Sequence, residues 1–205
     1  MKLLGVQIDN HMNFHYHVDQ LCRKAARQLN ALARIHRLLD SESKLAIVRS
    51  FIASNFNYCP LVWHFCGSKL TKKMEGILKR ALRFAYCDYS SDYESLLKKA
   101  NLVSLELNRQ RTIAIETYKA LHGLSPSFLV DLFKVYSSVY NTRQNNQLCV
   151  PSVKSTHFGI HSLKFLAAKI WNSLPSEATN QVTLKGFKTC ISNWYGFTCK
   201  CQACA

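Results

Sequence analysis

Three cysteines cluster near the end of this chain, where Cys199, Cys201 and Cys204 lie within six residues. Thiolates at this spacing can wrap around one zinc ion, and Cys190 could complete a tetrahedral set of four ligands. The spacing matches neither a double CxxC nor a Cys2His2 arrangement. Two interpretations of this tail therefore stand side by side: a zinc site, or exposed thiols in the reduced state.

Two pairs of carboxylates stand close together, Asp40 with Glu42 and Asp92 with Glu94. Two-metal phosphoryl transfer needs paired carboxylates to hold its metal ions. Each pair here lies at the start of a helical pattern, where acidic groups stabilise the helix N-terminus. We therefore interpret both pairs as helix caps, and none of the twelve acidic residues forms an Asp-Asp pair.

The histidines suggest little chemistry. His11, His15 and His17 lie near Asp9 and Asp19, which resembles a metal site, but no helix is predicted where the His11–His15 pair would need one. We therefore interpret these residues as a polar loop rather than a metal site. Serine nucleophile elbows, phosphate-binding glycine loops and dinucleotide fingerprints are absent from the sequence.

The strongest pattern is a helix predicted over residues 13–39. Its apolar positions fall on one face: Phe14, Val18, Leu21, Ala25, Leu29, Leu32, Ile35 and Leu39. Its arginines cluster on the opposite face: Arg23, Arg27, Arg34 and Arg37. This separation fits an ordinary amphipathic helix, and it also fits a helix that lays guanidinium groups along a phosphate backbone.

A second amphipathic helix is predicted over residues 69–86. Its basic face contains Lys69, Lys72, Lys73, Arg80 and Arg83. Two basic faces could form one groove, but the periodicity of each helix does not show whether they point the same way.

These helices belong to a chain that is predicted to be mostly α. We expect a strand at residues 1–10, a helical bundle over 11–135, a polar linker at 136–147 and a smaller mixed helical part over 148–205. The strand contains Leu3, Leu4, Gly5 and Val6 and has no evident partner downstream. Because lone strands leave backbone groups unpaired, we expect its sheet to lie upstream of Met1.

The composition favours a folded, nucleic-acid-binding protein. Hydrophobic residues make up 48% of the chain, which is enough for a packed core and argues against disorder. The net charge of +15 favours polyanionic partners, with nucleic acid the first among them. No stretch is apolar for long enough to span a membrane. Six of the nine cysteines are scattered singly, which is typical of reduced thiols inside a cell, in the nucleus or cytoplasm.

Several segments in order resemble one family. They are Leu4-Gly5-Val6-Gln7-Ile8-Asp9, Cys22-Arg23-Lys24-Ala25, Asn55 to Trp63, Arg80-Ala81-Leu82-Arg83, Ala120 to Pro126 and Ala168 to Pro175. Their order and spacing resemble the region after the polymerase palm in non-LTR (LINE, jockey-like) retrotransposon reverse transcriptases. The resemblance covers the whole chain.

This resemblance implies a thumb and post-polymerase fragment of an RNA-directed DNA polymerase encoded by a transposable element. Its partners would be RNA, DNA or their hybrid, together with the upstream polymerase region that holds the catalytic aspartates and Mg²⁺. The resemblance and the basic faces together predict nucleic-acid contacts through Arg23, Arg27, Arg34, Arg37, Lys72, Lys73, Arg80 and Arg83. The fragment itself would need no cofactor, apart from zinc if the cysteine tail binds it. The alternative is a free-standing helical protein-interaction module whose basic charge is incidental.

Overall fold

The computed structural model describes residues 1–136, 147–155 and 159–197, and it confirms the mostly α fold. Two short strands come first, β1 (Lys2–Leu3) and β2 (Val6–Gln7). The α-helices are α1 (His15–Arg34), α2 (Ser41–Ile47), α3 (Pro60–Trp63), α4 (Ser68–Tyr86), α5 (Tyr93–Lys99), α6 (Leu105–Leu121), α7 (Ser127–Val130), α8 (Leu163–Asn172), α9 (Ser176–Thr179) and α10 (Leu184–Ser192). In the described ranges, no helix is long and apolar enough to cross a membrane.

The prediction of an unpaired N-terminal strand was wrong. The chain turns at Leu4 and Gly5, and β1 pairs antiparallel with β2. Both turn residues have positive φ, 45° and 85°, as a two-residue type I′ hairpin requires. Tyr58 holds this turn from outside, because its hydroxyl donates a hydrogen bond to the Leu4 carbonyl at 2.5 Å. The strand therefore finds its partner within its own first seven residues.

The chain divides into two compact units, Met1–Asn108 and Arg109–Ala205, and α6 contains the point of division. This point of division differs from the linker predicted at 136–147, and residues 137–146 of that linker lie outside the described ranges. Either side of that gap, Val135 and Leu148 form an isolated antiparallel bridge. The predicted boundary therefore stays a prediction.

In the first unit, α1, α2 and α4 pack around one apolar core. The helical path that begins with α2 widens into a π-helix at Val48–Ile52 and then tightens into a 3-10 helix at Ala53–Phe56. Asn55 stabilises this change of winding, because its buried amide donates to the Ile52 carbonyl at 3.2 Å and to Gln28 of α1 at 2.6 Å. The hydrogen bond to Gln28 thereby links this change of winding to α1.

In the second unit, aromatic rings form the core. Tyr118 of α6 stacks on Phe187 of α10 with ring centroids 4.4 Å apart, and Phe187 also stacks on Trp171 of α8. Asn172, the residue after Trp171, accepts a hydrogen bond from the Leu148 N–H at 2.8 Å and donates to its carbonyl at 2.9 Å. A single side chain thus pairs the backbone of Leu148 on the edge opposite its bridge to Val135.

Candidate nucleic-acid interface

Helix α1 separates a buried face from a basic face, as predicted. Its buried residues are His17, Val18, Cys22, Ala25, Leu29 and Leu32. The helix ends at Arg34 rather than at residue 39, since Ile35 leaves the helical conformation and a short 3-10 turn follows. Arg37 lies on that turn and is exposed, so it is not part of α1, and its contact with nucleic acid stays a prediction.

Three arginines remain on the exposed face of α1: Arg23, Arg27 and Arg34. In the part of the chain that the structure describes, no hydrogen bond or ion pair occupies Arg27 or Arg34. Tyr16 is 60% exposed and lies on the same face, within about 40° of all three arginines at 100° per residue. Sequence reasoning missed this tyrosine, although its spacing of seven residues from Arg23 could have shown it.

The basic residues of helix α4 differ in their exposure to solvent. Lys72, Lys73 and Arg80 are exposed, whereas Arg83 is half-buried and donates a hydrogen bond to the Ser91 carbonyl at 3.4 Å. Arg83 therefore contacts the loop after α4, and its contact with nucleic acid stays a prediction. Lys79, which sequence reasoning left out, lies half-buried on the same side of the helix as Lys72.

The two basic faces meet at Asp19. Its Oδ2 lies 2.7 Å from Arg23 Nε on its own helix, and its Oδ1 accepts a hydrogen bond from Lys73 Nζ on α4. The hydrogen bond from Lys73, then the charge of Lys73 and the charge of Arg23, hold the pKa of Asp19 below its usual range, despite an opposing effect of burial. One carboxylate thus joins cations from both helices, and the question left open by the sequence is answered: the faces adjoin.

Several carboxylates of this unit bind backbone N–H groups. Asp40 and Asp92 accept hydrogen bonds from the Ser43 and Ser95 N–H groups, which confirms that both cap helices. Asp9 likewise accepts from three backbone N–H groups in the loop before α1. Among the described residues, Arg23 and Lys73 are the cations of α1 and α4 that form ion pairs, both with Asp19.

The aromatic residues after the 3-10 helix divide between core and surface. Trp63 is fully buried, and its Nε1 donates to the Tyr58 carbonyl at 3.0 Å. Tyr58 itself is 51% exposed, but its hydroxyl is occupied by the hairpin. These rings stabilise the fold.

No group of three or more metal-ligating side chains occurs in residues 1–136, 147–155 and 159–197. His17 is buried and its Nδ1 accepts the Gln7 N–H at 3.3 Å, so this histidine faces the core. Cys190 is half-buried on α10, while Cys199, Cys201 and Cys204 lie outside the described residues. The zinc interpretation of the tail stays a prediction.

Comparison with known proteins adds no relative: no protein-family model, no curated protein and no solved structure matches this chain. The geometry of its own residues must carry the argument about function. The adjoining basic faces of α1 and α4, which we call the α1–α4 face, contain Arg23, Arg27, Arg34, Lys72, Lys73 and Arg80.

Proposed function

We propose that this chain is a thumb-like part of a non-LTR retrotransposon reverse transcriptase, a transposable-element protein, and that it binds RNA, DNA or an RNA–DNA hybrid through the α1–α4 face. The observation that carries this proposal is the meeting of two helices at Asp19, which makes one basic surface out of two. The segments that resemble this family supply the second argument.

Binding would work through the phosphate backbone. Arginine presents a planar fork of donors that suits phosphate oxygens, and lysine adds mobile point charges. Such contacts hold a duplex or strand in register without reading its sequence. The contribution of this face would be affinity and positioning.

Polymerisation would need carboxylates from elsewhere. In the resembled enzymes, the palm holds the aspartates and their Mg²⁺, and the palm would be the protein partner of this chain. The acids of the first unit are engaged otherwise, with Asp9, Asp40 and Asp92 bound to backbone N–H groups. We therefore propose binding without catalysis for this part.

We further place the protein inside the cell, in the nucleus or cytoplasm, where its nucleic-acid partners are found. Six cysteines in the described ranges are free thiols, and free thiols are typical of reducing compartments.

The proposal is tested by removing charge from the α1–α4 face. In Arg27→Ala/Arg34→Ala, both substituted side chains are exposed, so the fold should survive. For a short RNA–DNA hybrid, the slope of log affinity against log salt should flatten by about 1.4 to 1.8, which corresponds to two lost phosphate contacts.

The matched control is Lys98→Ala/Lys188→Ala, which removes the same charge from exposed positions on α5 and α10, outside this face. A site on the α1–α4 face predicts a smaller change for this control. Equal changes of this slope in both variants would show that binding depends only on the overall charge of the protein. A wild-type slope near zero would reject the proposal and favour the protein-interaction module.

A further inference from the structure

Gly76 lies in the middle of α4, where glycine is costly. A glycine inside a helix destabilises it by about 1 kcal/mol relative to alanine. The 19 residues of α4 otherwise contain ordinary helix-forming side chains, and Gly76 does not have the positive φ that would require glycine. The helix therefore bears this cost without a backbone reason.

Packing does not explain the glycine either. A Cβ built on Gly76 meets no described atom within 4 Å, so the position faces open space. A close helix crossing, the usual reason for glycine in such a place, is therefore absent among the described residues. The missing side chain leaves a notch in the surface of α4.

The helical neighbours of this notch are all basic. Residues three and four positions away lie next to a residue on a helix surface, about 5–6 Å from it. For Gly76 these four residues are Lys72, Lys73, Lys79 and Arg80.

We propose that a phosphate of the bound nucleic-acid backbone sits over Gly76, inside this group of four cations. Because Gly76 has no Cβ, the nucleic-acid strand can approach the helix backbone closely, which is a recognised use of glycine at ligand sites. The four side chains can then reach around the phosphate from both sides. The cost of the glycine is then offset by binding of the polyanion.

This inference rests on the proposed function and adds the point of closest approach on the α1–α4 face. Lys73 already lies beside Arg23 through Asp19, so a strand over Gly76 continues toward the arginines of α1. The occupant is a nucleic-acid backbone, because a continuous strand can satisfy both helices at once.

The test fills the notch without changing any charge. Gly76→Ala and Gly76→Gln in the full chain should both raise the thermal midpoint, Tm, because both residues favour helix over glycine. The affinity for a short RNA–DNA hybrid should fall, about threefold for alanine and about tenfold for glutamine, with the salt slope flattened by about 0.7 to 0.9 in the glutamine variant. Higher stability together with weaker binding cannot come from misfolding.

Ala46→Gln is the control, since it adds the same side chain at an exposed position on α2. Its hybrid affinity should equal that of the wild type. Unchanged or tighter binding by Gly76→Gln overturns the inference. If Arg27→Ala/Arg34→Ala still weakens binding in that case, the proposed function stands and only the role of Gly76 is lost. If neither variant changes binding, both proposals fail.

Discussion

Asp19 stands between the basic faces of α1 and α4, where it pairs with a cation of each helix. Replacing it should lower stability and strengthen binding. Asp19→Asn keeps the shape of the side chain and removes its charge. Arg23 and Lys73 then lose their shared partner. They also become available to phosphate.

The loss of stability should be small. The Arg23 and Lys73 side chains are 66% and 48% exposed, so water screens both pairs. Two such pairs together contribute about 0.5–1 kcal/mol. The wild type should lose this contribution as the pH falls from about 4 through the lowered pKa of Asp19, because the protonated carboxyl no longer attracts the cations. The variant should lack that part of the acid sensitivity.

The gain in binding follows from Coulomb's law. Removing one negative charge about 8 Å from a bound phosphate, in a dielectric near that of water, contributes about 0.5 kcal/mol. The affinity for an RNA–DNA hybrid should therefore rise about twofold at low salt. At about 1 M salt, where the screening length falls to about 3 Å, the difference should disappear.

Fluorescence anisotropy across a salt series measures the affinity, and urea unfolding measures the stability. Glu42→Gln, which removes an exposed charge on α2, serves as the control and should leave hybrid affinity nearly unchanged. Weaker binding by a folded Asp19→Asn variant would refute the reasoning. It would mean that Asp19 matters more for orienting Arg23 and Lys73 than for neutralising them.

Two further predictions concern single buried contacts. Asn172→Ala should lower the free energy of unfolding by about 1–3 kcal/mol in urea titrations, because the Leu148 N–H and C=O both lose their partner, and an unchanged unfolding midpoint would contradict this role. Burial lowers the pKa of His17, so the neutral ring is favoured in the folded state, and wild-type stability should decline as the pH falls below about 6.5. His17→Asn keeps an acceptor for the Gln7 N–H and should decline less over the same pH range, as measured by Tm against pH.

The periodicity of the sequence was a good guide to the two long helices. The predicted 69–86 differs by one residue from the observed Ser68–Tyr86, and the buried face of α1 contains Val18, Ala25 and Leu29 as expected. Periodicity is a local property of a helix, so a sequence can reveal it directly. The capping roles of Asp40 and Asp92 were predictable for the same reason, since a cap involves only its own first turn.

Other features needed the folded chain. The hairpin at Leu4 and Gly5 escaped prediction because strands of two residues carry no periodic signal. Arg83 has the spacing of a surface residue, yet a loop eight residues later takes up its guanidinium group. The partner of β1 lies only a few residues away, whereas the partner of Arg83 belongs to a loop outside the helical pattern of α4.

The sequence by itself determined that this chain is helical, strongly basic, and basic on the outer faces of two amphipathic helices. Those properties depend on residue type and on a repeat of 3.6 residues, and both can be read along the chain. Only the tertiary structure decided that the two faces adjoin, because Lys73 reaches a carboxylate 54 positions away in the sequence. The tertiary structure alone revealed the open space beside Gly76, because a sequence pattern does not show which atoms surround a residue.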